Sequence, residues 1–285
     1  MKVTNAKIRE NDTAMAPFGF RNVTQYYLNR TTRTVRYDGY TFNLTIIKPL
    51  RKRSDKGLLP AFLFIPDMSY RKGCHKLREQ AASTIAVASG QVALIVDLLP
   101  QNEICIPIFE FFATLRWLTI HGKEIGITGE KIAVIGFQLG ANVATVLSLM
   151  VLNDKCSRIS VQILIDPQFY VTRISNAPGS LAKRPGDYDA WKKNKDWLDM
   201  GQIFNLPLES KIRELSGLPP TLVQLSQDKG FCCDLEYYCT KLVHAGNEVT
   251  YINYNEHDDS SDENDLLNLK ENLIMHTAVE LRKFG

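Results

Sequence analysis

The sequence predicts a doubly wound, mostly parallel α/β sheet with a helical cap. Three observations carry this reading. Short apolar runs alternate with helix-period segments along most of the chain, the pattern of strands buried on both faces and joined by crossover helices. One early pair of alternating runs flanks Asp38-Gly39, a dipeptide that favours a tight hairpin. The chain has 285 residues, 45% hydrophobic and 23% charged, enough to fill a core without a metal or disulfide staple.

Taken in order, Thr34–Arg36 and Tyr40–Ile47 form the hairpin, an antiparallel edge to the sheet. Arg51–Gly57 is a charged surface loop. Continuous apolar runs follow at Pro60–Ile65, Val92–Asp97, Lys131–Phe137, Val161–Ile165, Thr221–Ser226 and Val249–Tyr254, each read as a strand. Helices are expected between them at Lys76–Ser89, Pro107–His121, Ala141–Asn153, Asp189–Phe204, Cys233–His244 and Asp265–Lys283. The stretch from Asp166 to Pro219 breaks the rhythm and carries Tyr170, Tyr188, Trp191, Trp197, Met200 and Phe204 among many lysines. An insertion over the carboxyl edge of such a sheet caps a ligand crevice or packs as a surface helix. The chain is read as a single domain over 1–285, with cap elements from about 1–30 and 166–219.

Composition excludes several classes. Lys and Arg number 34 against 31 Asp and Glu, a net charge of +3, which argues for neither nucleic acid nor an anionic membrane as partner. The start stays polar through Thr13 and no apolar run approaches the roughly 18 residues of a membrane span, so a cytoplasmic chain is expected. Six cysteines then read as reduced thiols, and Cys232, Cys233 and Cys239 have no histidine at zinc-ligand spacing. No metal and no cofactor are expected. The three Asn-x-Thr sequons at Asn22, Asn29 and Asn43 read as accidental.

The chemistry concentrates at Lys131–Asn142, KIAVIGFQLGAN. A buried strand ends near Gly136 and a helix starts after Gly140. Glycines four apart flank the sharp strand-to-helix turn known as a nucleophile elbow, where the central residue is pushed into a strained conformation. Here that residue is Gln138.

On these residues the chain resembles the hormone-sensitive-lipase-like branch of the α/β-hydrolases. GFQLGANVA is similar to that family's GDSAGGNLA. Val96-Asp97 with Glu103 and Pro107 resembles its VDYRLAPEHPFP segment, and Leu115-Arg116-Trp117-Leu118 its LRWL helix end. GITGEKIAV (Gly126–Val134) resembles GxDPxRIAV, Leu218–Val223 the LPPxLV strand, and Tyr238–Leu242 with Gly246 the YAxxLxxxG helix and turn. The likeness runs in order over roughly residues 30–285. It implies an α/β-hydrolase fold, and its departures fall on the chemistry. Gln138 stands where the family has its serine, and an amide cannot be deprotonated to attack an ester. Phe137 and Leu139 replace the flanking Asp and Ala. The family's oxyanion motif HGGG is replaced by Pro66-Asp67-Met68-Ser69-Tyr70. There Pro66 offers no N–H, and Asp67 brings negative charge where an oxyanion would develop. The acid position falls on Lys229, or on Asp228 if the loop shifts by one residue. His257 stands where the family places its histidine, within the acidic run Glu256, Asp258, Asp259, Asp262, Glu263 and Asp265. It reads as a retained base or as a loop histidine in a solvated run. His75, His121, His244 and His276 read as structural or exposed.

The candidate catalytic groups are therefore His257, Gln138 and Asp228, and the candidate ligand-binding residues are Asp67, Met68, Ser69, Tyr70, Phe137 and Leu139. The expected partner is a small, largely apolar organic molecule, and the chain is compatible with a homodimer. Three functions compete. The first is a non-hydrolytic enzyme (cyclase, isomerase or lyase) working by acid–base and hydrogen-bond catalysis. The second is a non-catalytic receptor or scaffold. The third is a hydrolase with an unusual nucleophile such as Cys232, Cys233 or Ser69.

Overall fold

The computed structural model describes residues 2–5, 27–50, 57–66, 74–97, 105–152, 154, 157–167, 207–225, 233–254 and 273–284. Within them run strands β1 (Lys2–Asn5), β2 (Leu28–Tyr37), β3 (Tyr40–Pro49), β4 (Leu59–Ile65), β5 (Val92–Asp97), β6 (Ile127–Phe137), β7 (Ile159–Ile165), β8 (Thr221–Leu225) and β9 (Val249–Asn253). Helices α1 (Cys74–Ser89), α2 (Cys105–His121), α3 (Leu139–Leu152) and α4 (Cys233–His244) lie between strands, and α5 covers 273–281. The strands form one nine-stranded sheet in the order β1-β9-β8-β7-β6-β4-β5-β3-β2. Only β2–β3 and β3–β5 pair antiparallel. All other pairs are parallel, so the expected doubly wound sheet with an antiparallel edge is what forms.

Local chemistry explains the edges. The hairpin pairs Tyr37 with Tyr40, and both turn residues, Asp38 (φ 52) and Gly39 (φ 81), are left-handed. Two positive φ angles give the turn a twist that matches its strands, which is why Asp-Gly selects it. The central strands are apolar on both faces because helices cover both. Leu44, Leu63, Leu94, Val134 and Val223 join α2, α3 and α4 in one core. Phe62, Phe64, Ile135, Ile163 and Ile252 join α1 and α5 in the other. Each such side chain contributes roughly 1.5–3 kcal/mol on burial. Helix α3 is buried from Gly140 to Val151, so its sequence is apolar nearly all round rather than on one stripe. Its Ser148 hydroxyl donates to Gln162 Oε1 at 2.9 Å, and Gln162 Nε2 donates to Thr221 Oγ1 at 2.7 Å. That satisfies the polar groups buried between α3, β7 and β8.

Several boundaries differ from the sequence reading: β2 starts at Leu28 rather than Thr34, β3 runs to Pro49 rather than Ile47, and α1 and α2 each start two residues early. Strand β6 begins at Ile127, four residues early, because Ile127 pairs with Leu59 of β4 through a register irregularity. Helix α3 begins at Leu139, directly after the turn. Lys2–Asn5 pairs parallel with Thr250–Asn253 and extends the sheet beyond β9. Of the expected cap segments, residues 6–26 and 168–206 lie outside the described residues, as do the expected helix Asp189–Phe204 and the start of the expected helix Asp265–Lys283. Among the described residues no helix is long and apolar enough to cross a membrane.

Candidate functional site

The site is built on the junction of β6 and α3. Strand β6 ends at Phe137 and the helix starts at Leu139. Gln138 alone makes the turn, at φ 53. The flanking glycines are sterically required. A Cβ on Gly136 would come closer than 3.0 Å to Ala141 Cα and the Gly140 carbonyl oxygen. A Cβ on Gly140 would come equally close to the carbonyl oxygens of Ile65 and Pro66 at the end of β4. The helix start is therefore jammed against both its own strand and the neighbouring one. The Gln138 N–H donates to the Ile165 carbonyl at 2.8 Å, and the Gln138 carbonyl accepts from Ala141 N–H at 3.0 Å. Held at both its N–H and its C=O, Gln138 cannot relax out of the left-handed region. A non-glycine residue there costs about 1–3 kcal/mol.

The neighbouring strand ends continue the same carboxyl edge. Asp166, left-handed at φ 47, donates its N–H to the Gln224 carbonyl at 2.9 Å, and Tyr254 donates to the Leu225 carbonyl at 3.0 Å. The ends of β6 to β9 are thus tied by backbone bonds in sequence. The amides of Leu139 and Gly140, the first two of α3, have no acceptor within the helix and supply partial positive charge at its start. The expected ligand neighbours Phe137 and Leu139 are half-buried. Phe137 packs against the α1/α5 core and Leu139 against the α2/α3/α4 core. Pro66, buried at the end of β4, has no N–H to contribute. Asp67, Met68, Ser69, Tyr70, Asp228 and His257 lie outside the described residues, as do Cys232 and Lys229.

Sequence reasoning missed two polar groupings. Gln224, Tyr254 and Thr277 are fully or almost fully buried. Gln224 Nε2 donates to the Tyr254 hydroxyl at 2.8 Å, Thr277 Oγ1 donates to Gln224 Oε1 at 2.7 Å, and the Tyr254 hydroxyl meets His276 Nδ1 at 2.6 Å. This ties the ends of β8 and β9 to α5, and burial pushes the Tyr254 phenol up. The signal available was Gln224 itself, a polar residue inside an otherwise apolar strand. The second grouping lies behind the hairpin turn. Glu110 of α2 is only 4% exposed, and burial pushes its carboxyl up to about 7. Burial raises the Tyr40 phenol too, with smaller contributions from the negative charges of Asp38 and Glu110. Cys239 is buried and free, and burial pushes its thiol up to about 12, so it is no nucleophile. Among the described residues no group of three or more His, Cys, Asp or Glu could hold a metal.

A sequence model of the family described as an alpha/beta hydrolase fold matches residues 72–258. A protein of Acanthamoeba polyphaga mimivirus whose name places it among α/β hydrolases is 24% identical over 217 residues. That match spans 72% of this chain and only 60% of the viral protein's length. An arylesterase of Saccharolobus solfataricus is 24% identical over 226 residues, 74% of this chain and 70% of that protein. The structure of a thermostable esterase from Pseudomonas putida ECU1011 superposes with a TM-score of 0.68 at 24% identity, covering 93% of this chain and 88% of that one.

Proposed function

The chain belongs to the α/β-hydrolase family, in its hormone-sensitive-lipase-like branch, and from that membership we propose that it binds a small, largely apolar organic molecule over the β6–α3 turn and transforms it without a covalent acyl intermediate. The observation that supports this is the conformation of Gln138. Glycine at 138 would remove the left-handed strain, yet a long polar side chain stands there, between two glycines that force the turn. The strain is kept together with an amide that can donate and accept hydrogen bonds but cannot attack a carbonyl. In this reading Gln138 orients a substrate carbonyl, aided by the amino-terminal amides of α3. His257 moves the proton and Asp228 supports it. Holding a carbonyl beside a base suffices for enolisation, and from there for isomerisation, elimination or ring closure. Relatives named esterases support a carbonyl-bearing ligand for this chain.

The test has two arms. In the first, a fluorophosphonate should not label the protein and nitrophenyl acetate should give no burst. In the second, the protein should accelerate exchange of the α-protons of phenylacetone with D2O, followed by proton NMR. His257→Ala and Gln138→Ala should each lower that exchange by roughly 100-fold or more. Fluorophosphonate labelling with burst hydrolysis would overturn the proposal.

A second reading, a non-catalytic receptor, draws on Pro66, because a buried proline at the end of β4 offers no N–H to an oxyanion. Phenylacetone binding that Gln138→Ala abolishes, with no exchange in the unaltered protein, would establish it.

A further inference from the structure

At the opposite edge of the sheet, Lys131 of β6, Arg158, Ile159 and Ser160 at the start of β7, and Lys283 and Phe284 after α5 line a cavity of about 390 Å3. It lies seven residues before Gln138 along β6, roughly 20 Å by strand rise, and shares no residue with the elbow. Its charge is one-sided. Lys283 is held by Glu280 at 2.6 and 2.7 Å. Among the described residues no carboxylate pairs with Lys131 or Arg158, and Glu130 does not line the cavity. Two cations without a carboxylate partner among the described residues therefore line the cavity beside the Ser160 hydroxyl. The backbone fixes their spacing, because the Arg158 carbonyl accepts the Ile132 N–H at 3.1 Å and locks the start of β7 to β6. Phe284 is half-buried against the α1/α5 core and gives the cavity an apolar wall.

We propose that this cavity binds the phosphate of a small organic phosphomonoester, with Arg158 and Lys131 on the phosphate and the organic body against Phe284. Two cations match a dianion better than a carboxylate. The planar guanidinium takes two phosphate oxygens at once, and the ammonium serves as a point charge. A cavity of this volume exceeds what inorganic phosphate fills and suits a ligand with a ring or short chain. The site is independent of the crevice reading, and its test reads binding rather than turnover.

The probe is phenyl phosphate, titrated calorimetrically at pH 8 and low salt, where its phosphate is a dianion. One saturable site is expected. Arg158→Gln and Lys131→Gln should each weaken it at least about tenfold, while Phe284→Ala should weaken phenyl phosphate more than inorganic phosphate. Both cations are exposed, and circular dichroism confirms that the variants fold. Absence of saturable binding, or affinity unchanged in both charge variants, would overturn the site. Much tighter capture by phosphatidic acid vesicles, with the same dependence on Arg158 and Lys131, would overturn the small-molecule assignment in favour of a lipid headgroup.

Discussion

Two of the left-handed turns at the carboxyl edge, the hairpin at Asp38-Gly39 and the elbow at Gln138, reach positive φ by opposite routes. At the hairpin the residues choose the conformation. Asp and Gly tolerate it, and two flanking strands accept the resulting twist. At the elbow the surroundings impose it. Gln138 has no local preference for φ 53, and the close approach of β4, β6 and α3 leaves the chain no other path. A turn selected locally relaxes when its residues change. A turn imposed by packing keeps its shape whatever residue occupies its tip, which frees that residue for chemistry.

The largest test of this contrast is Gly140→Ala. Its methyl would push against two main-chain carbonyls that cannot swing away, so a loss of about 3 kcal/mol or more is expected in chemical denaturation. A loss under about 1 kcal/mol would mean the elbow is as pliable as the hairpin.

The next effect is pH-dependent and confined to the hairpin side. The Glu110 carboxyl is raised from near 4.5 to about 7 in the fold, so the folded protein holds a proton that the unfolded chain has released. Its contribution to stability is full below pH 4.5 and is lost as pH rises through 7. Glu110→Gln should cancel about 2 kcal/mol of the decline between pH 5 and pH 8. Equal declines in variant and parent would remove Glu110 from the account.

The smallest effect is a change of sign. Gln138→Gly should raise stability by about 0.5–1 kcal/mol, because strain is relieved while the turn persists. Gly39→Ala should lower it by about 1 kcal/mol, since its conformation at φ 81 admits no ordinary side chain. Matching signs would erase the distinction between the two turns.

How much of this was legible in the sequence follows from the range of the interactions. Strand β5 and helix α4 are read to the residue, since apolar periodicity and flanking turns are local signals. So is the hairpin. The elbow showed through the spacing of Gly136 and Gly140, but its cause, the approach of Ile65 and Pro66, lies more than seventy residues away in sequence. Strand β1 was invisible because Lys2–Asn5 is short and polar and is ordered by pairing with β9. The Gln224–Tyr254–His276 grouping joins residues 30 and 22 positions apart, beyond any periodic pattern. Glu110 did leave a mark: a lone acid in the apolar run Ile108–Phe112 signals either a buried partner or a shifted proton.

Among the described residues strand β2 ends the sheet opposite β1, ten residues long and mostly exposed. Its outer main-chain amides and carbonyls form a template that a second chain could zip onto, the first step of fibril growth. The strand carries Arg30, Arg33 and Arg36 at every third position. Arg30 is tethered to Glu79 at 2.6 Å, and Arg33 lies over the Trp117 ring at 5.6 Å. Stacking identical strands would crowd these cations against their copies from the next molecule. The arginines thus act as gatekeepers, and replacing all three with threonine should leave the fold intact while shortening the lag before aggregation.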